Sequence, residues 1–378
     1  MPKTTCDHCG QHIEFPQEIA GSETECPHCA VSTFLNDGSV PTIRIPKPTQ
    51  TGPGKREAAG ESVVRSVALK LIENIEKVIV GKTQEISLTL TAYFADGHVL
   101  LEDVPGVAKT MLARSLAQSV GCTFKRIQCT PDLLPNDITG TSIFNPKTTD
   151  FEFRPGPLFA QIVLADEINR ATPRAQSALL EAMAERKVTA DGINYDLTPP
   201  FILIATQNPI DHEGTFPLPE AQLDRFLIRL SLGYPDPSYE VEMLQRLQAS
   251  HPIDHLSHVV EAKQIQECQE AIRKIQVDQK VAEYVVSLIQ ASRGHHDLSL
   301  GGSPRASLAL IRCAQSHAAI QGYDFVMPDD IKLLAPFVLG HRLILKPESR
   351  LRKRTVHDVI EELLQSVTVP TLPQGSYR

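Results

Sequence analysis

The chain has no tryptophan, and aromatic residues fill only 5% of its 378 positions. Proteins that hold single-stranded nucleic acid by stacking interleave aromatics with basic residues, and no stretch here does so. Positive charge is not in excess either: 37 Lys and Arg stand against 45 Asp and Glu, a net charge of −8. That balance argues against broad nucleic-acid binding. Long apolar runs are also missing. None approaches the roughly 18 residues that a membrane span requires, so no membrane insertion is expected. Residues 1–6 lead into no apolar stretch of a secretory kind. The expected compartment is therefore the cytoplasm, where thiols stay reduced. The eight cysteines are then metal ligands, core residues or free thiols before they are disulfides.

What is present begins with four of those cysteines. Cys6 and Cys9 form one Cys-x-x-Cys pair and, sixteen residues on, Cys26 and Cys29 form another. Two such pairs at this separation fit a structural Zn2+ site of four thiolates. His8 and His28, inside the pairs, are expected to face solvent. Gly10, Gly21 and the alternation His12 to Phe15 predict a short hairpin between the two pairs. A segment of 35 residues buries too little for a core of its own, so metal would drive its folding. Residues 1–35 resemble a zinc ribbon. Residues 36–60, with prolines and glycines and no apolar period, predict a flexible linker. At this length, two or three domains are expected in all.

From Val64 to Ile79 apolar residues recur at helical spacing, and a second helix is expected to end near Phe94. Val99 to Leu101 then reads as a buried strand. It runs into Asp103-Val104-Pro105-Gly106-Val107-Ala108-Lys109-Thr110-Met111 and a helix. A Pro-Gly turn, backbone N–H groups at a helix N-terminus, a lysine for β- and γ-phosphates and a hydroxyl for Mg2+ can together hold a nucleoside triphosphate. The strict phosphate-loop pattern places glycines at positions 103 and 108. Ala108 fits if it has helical dihedrals. The Asp103 carboxylate opposes a triphosphate unless it points away. Sixty residues on, Ile162 to Ala165 forms another buried strand and ends in Asp166-Glu167. Charged residues at the carboxyl end of a parallel strand lie where open α/β sheets bind ligands.

These motifs continue in Thr130-Pro131-Asp132-Leu133-Leu134-Pro135, Ala205-Thr206-Gln207-Asn208-Pro209 and Leu218-Pro219-Glu220-Ala221-Gln222-Leu223-Asp224-Arg225-Phe226. Residues 98–232 resemble the AAA+ ATPases, and the MoxR family among them; the likeness extends over about residues 65–340. The resemblance implies a P-loop α/β core of three layers with a parallel sheet (residues 61–232) and an all-α lid with a C-terminal tail (residues 233–378). It also implies ATP and Mg2+. Lys109 would contact phosphate, and Thr110 and Asp166 would hold Mg2+. Glu167 would activate the attacking water, and Asn208 would sense the γ-phosphate. Arg225 matches the arginine that reaches the neighbouring subunit's nucleotide, with Arg229 a rival. Arg305 matches the second sensor arginine of the lid. An arginine supplied in trans implies a homo-oligomeric ring, expected as a hexamer.

Thr141 to Pro157 and Arg186 to Pro199, the latter around Asp191-Gly192, predict two hairpins. They match insertions of this AAA+ branch and are the expected working surface. Arg170 and Arg174 are either subunit contacts or a solvated face. Cys122, Cys129, Cys268 and Cys313 are expected in the core. His251, His255, His258, His295 and His296 lack a partner at ligand spacing and are expected as surface histidines. MoxR proteins remodel or mature client proteins, commonly with a partner carrying a von Willebrand factor A domain, and the resemblance implies the same here. Two other readings remain: a DNA-dependent AAA+ motor or loader using the ribbon, or a nucleotide-gated scaffold with little hydrolysis.

Overall fold

The computed structural model describes residues 62–370, apart from 105, 210–213 and 248–250, together with four short strands near the N-terminus. Two compact units result, Met1–Gly52 and Pro53–Arg378. In the first, β1 (Lys3–Thr5) pairs antiparallel with β2 (His12–Glu14), and β3 (Glu23–Glu25) with β4 (Ser32–Phe34). Each hairpin spans one Cys pair in the sequence. The expected single hairpin between the pairs is thereby corrected: His12 to Glu14 alternates because it pairs backward with Lys3–Thr5. Cys6, Cys9, Cys26, Cys29, His8, His28 and the linker lie outside the described residues.

The second unit opens with α1 (Val63–Glu76) and α2 (Thr83–Phe94). Val64, Val67, Ala68, Leu71 and Ile75 form the buried stripe of α1, as their spacing predicts. There follow β5 (Val99–Glu102), α3 (Lys109–Val120), β6 (Phe124–Gln128), α4 (Pro135–Thr139), β7 (Gly140–Asn145), β8 (Asp150–Pro155) and β9 (Ile162–Asp166). Then come α5 (Pro173–Glu185), β10 (Lys187–Ala190), β11 (Ile193–Asp196), β12 (Ile202–Gln207), α6 (Glu220–Leu223) and β13 (Ile228–Leu230).

Five of these strands form one parallel sheet in the order β13-β5-β12-β9-β6. Strand side chains alternate between faces, and the alternation sorts the sheet into two cores. Val99, Leu101, Ile162, Leu164, Ile202 and Ile204 pack on the face that α1, α2 and α3 cover. Leu100, Val163, Ala165, Leu203 and Ala205 pack with Leu179, Leu180 and Met183 of α5 on the other. This is the expected three-layer α/β core.

The C-terminal region holds α7 (Pro237–Leu247), α8 (Ala262–Ile272), α9 (Gln279–Gly294), β14 (Leu298–Leu300), α10 (Pro304–Ile320), α11 (Pro328–Leu339), β15 (Ile344–Leu345), α12 (Pro347–Leu351) and α13 (Val356–Ser366). It is helical but not all-α, because β14 and β15 pair antiparallel at Leu298 and Leu345. Strands of three and two residues are too short to leave a period in the sequence. Leu288, Leu310 and Leu334 of the lid share one apolar cluster with Leu71, Leu112 and Leu164, so the lid's core continues onto the sheet. Among the described residues, no helix is long and apolar enough to cross a membrane.

Candidate functional site

The parallel strands β5, β12 and β9 end side by side, and their carboxyl ends carry the predicted chemistry. Asp103 N–H donates to the carbonyl of Gln207 (3.2 Å), which ties the start of the phosphate loop to the end of β12. Pro105 lies outside the described residues. Gly106 has φ +90°, and the space where a side chain would sit is open. Ala108 is left-handed (φ 60°, ψ 19°) instead of helical, which corrects the expected helical dihedrals. The strand-to-helix turn needs a left-handed residue where the strict pattern has glycine, and alanine takes it at about 1–2 kcal/mol. Val104 and Met111 are half-buried and Val107 is buried.

Asp103 settles the electrostatic objection. Its carboxylate accepts from Ser231 Oγ (2.7 Å), from Leu232 N–H and from Gly233 N–H (3.1 Å). It is turned into the chain that leaves β13 and is 5% exposed. The Lys109 ammonium donates to the carbonyls of Asp103 (2.8 Å) and Val104 (3.0 Å). Burial lowers its pKa, while Asp103, Asp166 and Glu167 oppose that shift. The lysine therefore lies in the field of the acidic pair.

At the end of β9, Asp166 Oδ1 accepts from Thr206 Oγ1 (2.6 Å). The same hydroxyl accepts from Glu167 N–H (2.8 Å). Asp166 Oδ2 takes two bonds from Arg126, Nε at 3.0 Å and Nη2 at 2.5 Å. Glu167 is left-handed (φ 57°) and half-buried, and it pairs with Arg170 at 3.2 Å. Non-glycine residues held this way cluster at functional sites. Asn208 is buried beside Gln207 at the end of β12. An open turn at Gly106, α3 N–H groups with no side-chain cap, a half-buried lysine and a carboxylate at a strand end suit a triphosphate with its Mg2+. Thr110 sits in the first turn of α3, where its hydroxyl would join Asp166 on the metal.

The arginines divide. Arg229 bonds Glu102 (2.9 Å) and the Gly340 carbonyl (2.8 Å), so it is used inside the subunit. Arg225 is exposed and donates to the Leu180 carbonyl at 2.7 Å. Arg305 is also largely exposed and meets Asp224 at 4.0 Å. Ser303 Oγ donates to that same Asp224 carboxylate (3.4 Å), as does Arg342 (2.7 Å). Asp224, the residue before Arg225, therefore holds the N-terminus of lid helix α10. Its close charged partner is the buried Arg342. Arg170 is engaged by Glu167, and Arg174 lines a groove with Asn136, Glu181 and Thr189.

Both hairpins form, β7 with β8 and β10 with β11. Asp191 (φ 51°) and Gly192 (φ 77°) make the two-residue turn. The hairpins meet where Tyr195 stacks on Phe153 at 4.2 Å and where Ser142 N–H donates to Asp191 (3.2 Å). Phe144, Phe151, Ile143 and Ile193 are left exposed. His296 is exposed as expected, beside its chain neighbour Asp297 at 3.3 Å, whereas His295 is half-buried, which corrects its expected surface position, and folding brings it to Glu362 at 3.3 Å. Cys129, Cys268 and Cys313 are buried and Cys122 is half-buried.

Sequence reasoning missed Arg126, Thr206 and Arg342. Thr206 lay within a quoted motif two residues before Asn208. Arg126 stands at strand spacing from Gln128, which pairs with Asp166 in register; that neighbour relation needed the strand order.

Two family profiles match the chain: the ATPase family associated with various cellular activities (AAA) over residues 98–228, and the AAA lid domain over residues 290–363. The chain is 50% identical over 301 residues to YeaC of Bacillus subtilis, covering 80% of this chain and 94% of that protein. It is 41% identical over 310 residues to chaperone MoxR1 of Mycobacterium tuberculosis, covering 80% and 82%. A crystal structure from Cytophaga hutchinsonii, 37% identical, aligns with a TM-score of 0.77 over 82% of this chain and 96% of that one.

Proposed function

The chain belongs to the MoxR family of AAA+ ATPases, and we propose that it hydrolyses ATP to remodel or mature client proteins. The observation that carries this reading is the convergence of the Asp103–Thr110 loop with Asp166 and Glu167, joined through Lys109 and Thr206. Bound Mg·ATP would supply the phosphoryl group and the cation that neutralises it. Lys109 would exchange the carbonyls of Asp103 and Val104 for phosphate oxygens. Thr110 and Asp166 would hold Mg2+. Glu167 would orient the attacking water and accept its proton, with Asn208 beside it. Phosphoryl transfer asks mainly for positioning and charge neutralisation, which this set provides.

Arg225, next to Asp224 in the chain, and Arg305, which meets Asp224, are both exposed. This arrangement supports offering Arg225 to a neighbouring subunit's nucleotide in a ring, taken as a hexamer, and using Arg305 as the lid's sensor of the γ-phosphate. The hairpins, with Phe144 and Phe151 exposed, are assigned to client contact. The partner class is a protein with a von Willebrand factor A domain. Cys6, Cys9, Cys26 and Cys29 are assigned to Zn2+; two hairpins that each span one Cys pair support a ribbon.

The test is Mg2+-dependent ATP turnover of the full chain against Glu167→Gln, measured across protein concentration. Turnover that rises more than linearly with concentration and vanishes in the variant is expected. Nucleotide binding without turnover in the unaltered chain would favour the scaffold reading.

A further inference from the structure

Both oxygens of the Asp166 carboxylate are engaged within the subunit. Oδ1 takes the Thr206 hydroxyl at 2.6 Å. Oδ2 takes two N–H groups of one guanidinium, Arg126 Nε at 3.0 Å and Nη2 at 2.5 Å. Arg126 lies on β6, an edge strand of the sheet. Its own register partner is Leu164, so the side chain reaches two residues along β9 to Asp166. Gln128 accepts from the same Nη2 at 2.6 Å and steadies the reach. The carboxylate is nearly buried while the guanidinium is about half exposed, with side-chain exposures of 11% and 47%. A charge-assisted pair of this geometry is strong, yet its cationic half is free to swing into water.

A divalent cation on Asp166, direct or through a water, would share the carboxylate with that guanidinium. Two cations so placed repel strongly in a partly dry site. We propose that Arg126 competes with Mg2+ for Asp166 and so sets the Mg2+ concentration at which the site takes up its nucleotide. Metal without nucleotide is held off by the internal cation. Metal arriving with triphosphate is held by phosphate oxygens as well, and so displaces Arg126 from Asp166. Arg126 is thus a positioning and gating residue rather than a catalytic one. The inference rests on the ATPase reading above.

The test uses the full chain carrying Glu167→Gln, which prevents turnover, alone and combined with Arg126→Gln or Arg126→Lys. Uptake of a fluorescent N-methylanthraniloyl ATP is titrated with Mg2+, and Mn2+ binding without nucleotide is read by electron paramagnetic resonance. Arg126→Gln is expected to lower the half-saturating Mg2+ about tenfold and to tighten Mn2+ binding by a similar factor. Arg126→Lys, which keeps the charge, should stay near the parent. That comparison separates charge competition from a general loosening of β6. An unchanged or raised metal requirement in Arg126→Gln overturns the inference while leaving the ATPase reading intact. If no variant takes up the nucleotide at any Mg2+ concentration, the ATPase reading fails and the inference with it.

Discussion

The hydroxyl of Thr206 fixes two neighbouring residues at once. It donates to Asp166 and accepts from the backbone of Glu167, so the proposed metal ligand and the proposed water-activating residue share one hinge pin. The left-handed backbone of Glu167 needs such a hold, because a non-glycine residue leaves that region unless its surroundings over-determine it. Replacing Thr206 with valine keeps the shape and removes the hydroxyl. Turnover should fall by about 10- to 100-fold through misplacement of Glu167. The KM for ATP should change little, because the phosphate loop is untouched. A Thr206→Val variant with unchanged kcat and raised KM would mean that the hydroxyl only shapes the pocket. Asp103 shows why some of the site was hidden from the sequence. Its charge near phosphate was legible, but its direction depends on donors about 130 positions later, at 231–233. Likewise the motif indicated Ala108, but not its backbone, which the turn dictates.

At the scale of elements, legibility followed periodicity. Helix α1 and strands β5 and β9 carry apolar patterns and appear where those patterns place them. The hairpin β10–β11 was legible from Asp191-Gly192 alone. The pair β14–β15 and the lid's fastening were not, because they depend on partners far apart in the chain. Arg342 is the clearest case. It reaches from the turn after α11 to Asp224 (2.7 Å), to the Phe226 carbonyl (2.7 Å) and to the Leu227 carbonyl (3.2 Å). It is 8% exposed, and the lid is thereby clipped to the approach to β13. Breaking a buried charge pair from one side costs about 3–5 kcal/mol. Arg342→Met should therefore lower the unfolding free energy by that order in urea denaturation. Arg305→Met, which touches the same Asp224 from a solvated position, should leave the midpoint almost unmoved. Equal midpoints for the two variants would remove Arg342 from its fastening role.

At the scale of the whole molecule, two buried histidines tie the layers together as neutral rings. His98 donates from Nε2 to the Met183 carbonyl (3.1 Å) and accepts at Nδ1 from Leu203 N–H (2.9 Å), bridging α5 and β12. His341 donates from Nε2 to the Phe226 carbonyl at 3.0 Å, and its Nδ1 is buried with no partner. Burial pushes both pKa values well below the ordinary 6.5, helped by Arg186 beside His98 and by Arg342 and Arg229 beside His341. The unfolded chain would protonate both near pH 6.5, while the folded chain refuses the proton. Their contribution to stability is therefore complete above pH 6.5 and is lost as pH falls below it toward the depressed folded values. Each group can add a slope of about 1.4 kcal/mol per pH unit, or about 2.7 kcal/mol per unit for the pair. The carboxylates held below their usual range, Asp132, Asp297, Asp358 and Glu362, start from ordinary values near 4. Their losses fall at lower pH and leave the interval from 6.5 to 5.5 to the histidines. Urea unfolding across that interval should show the fall, and His98→Gln, which keeps an N–H donor without a titrating ring, should cut the mean slope there by about 1 kcal/mol per pH unit, because the unfolded ring is only half protonated at pH 6.5. Comparing slopes rather than midpoints makes the result independent of whatever the substitution itself does to stability. An unchanged slope in that variant would place the acid sensitivity outside the bridge between α5 and β12.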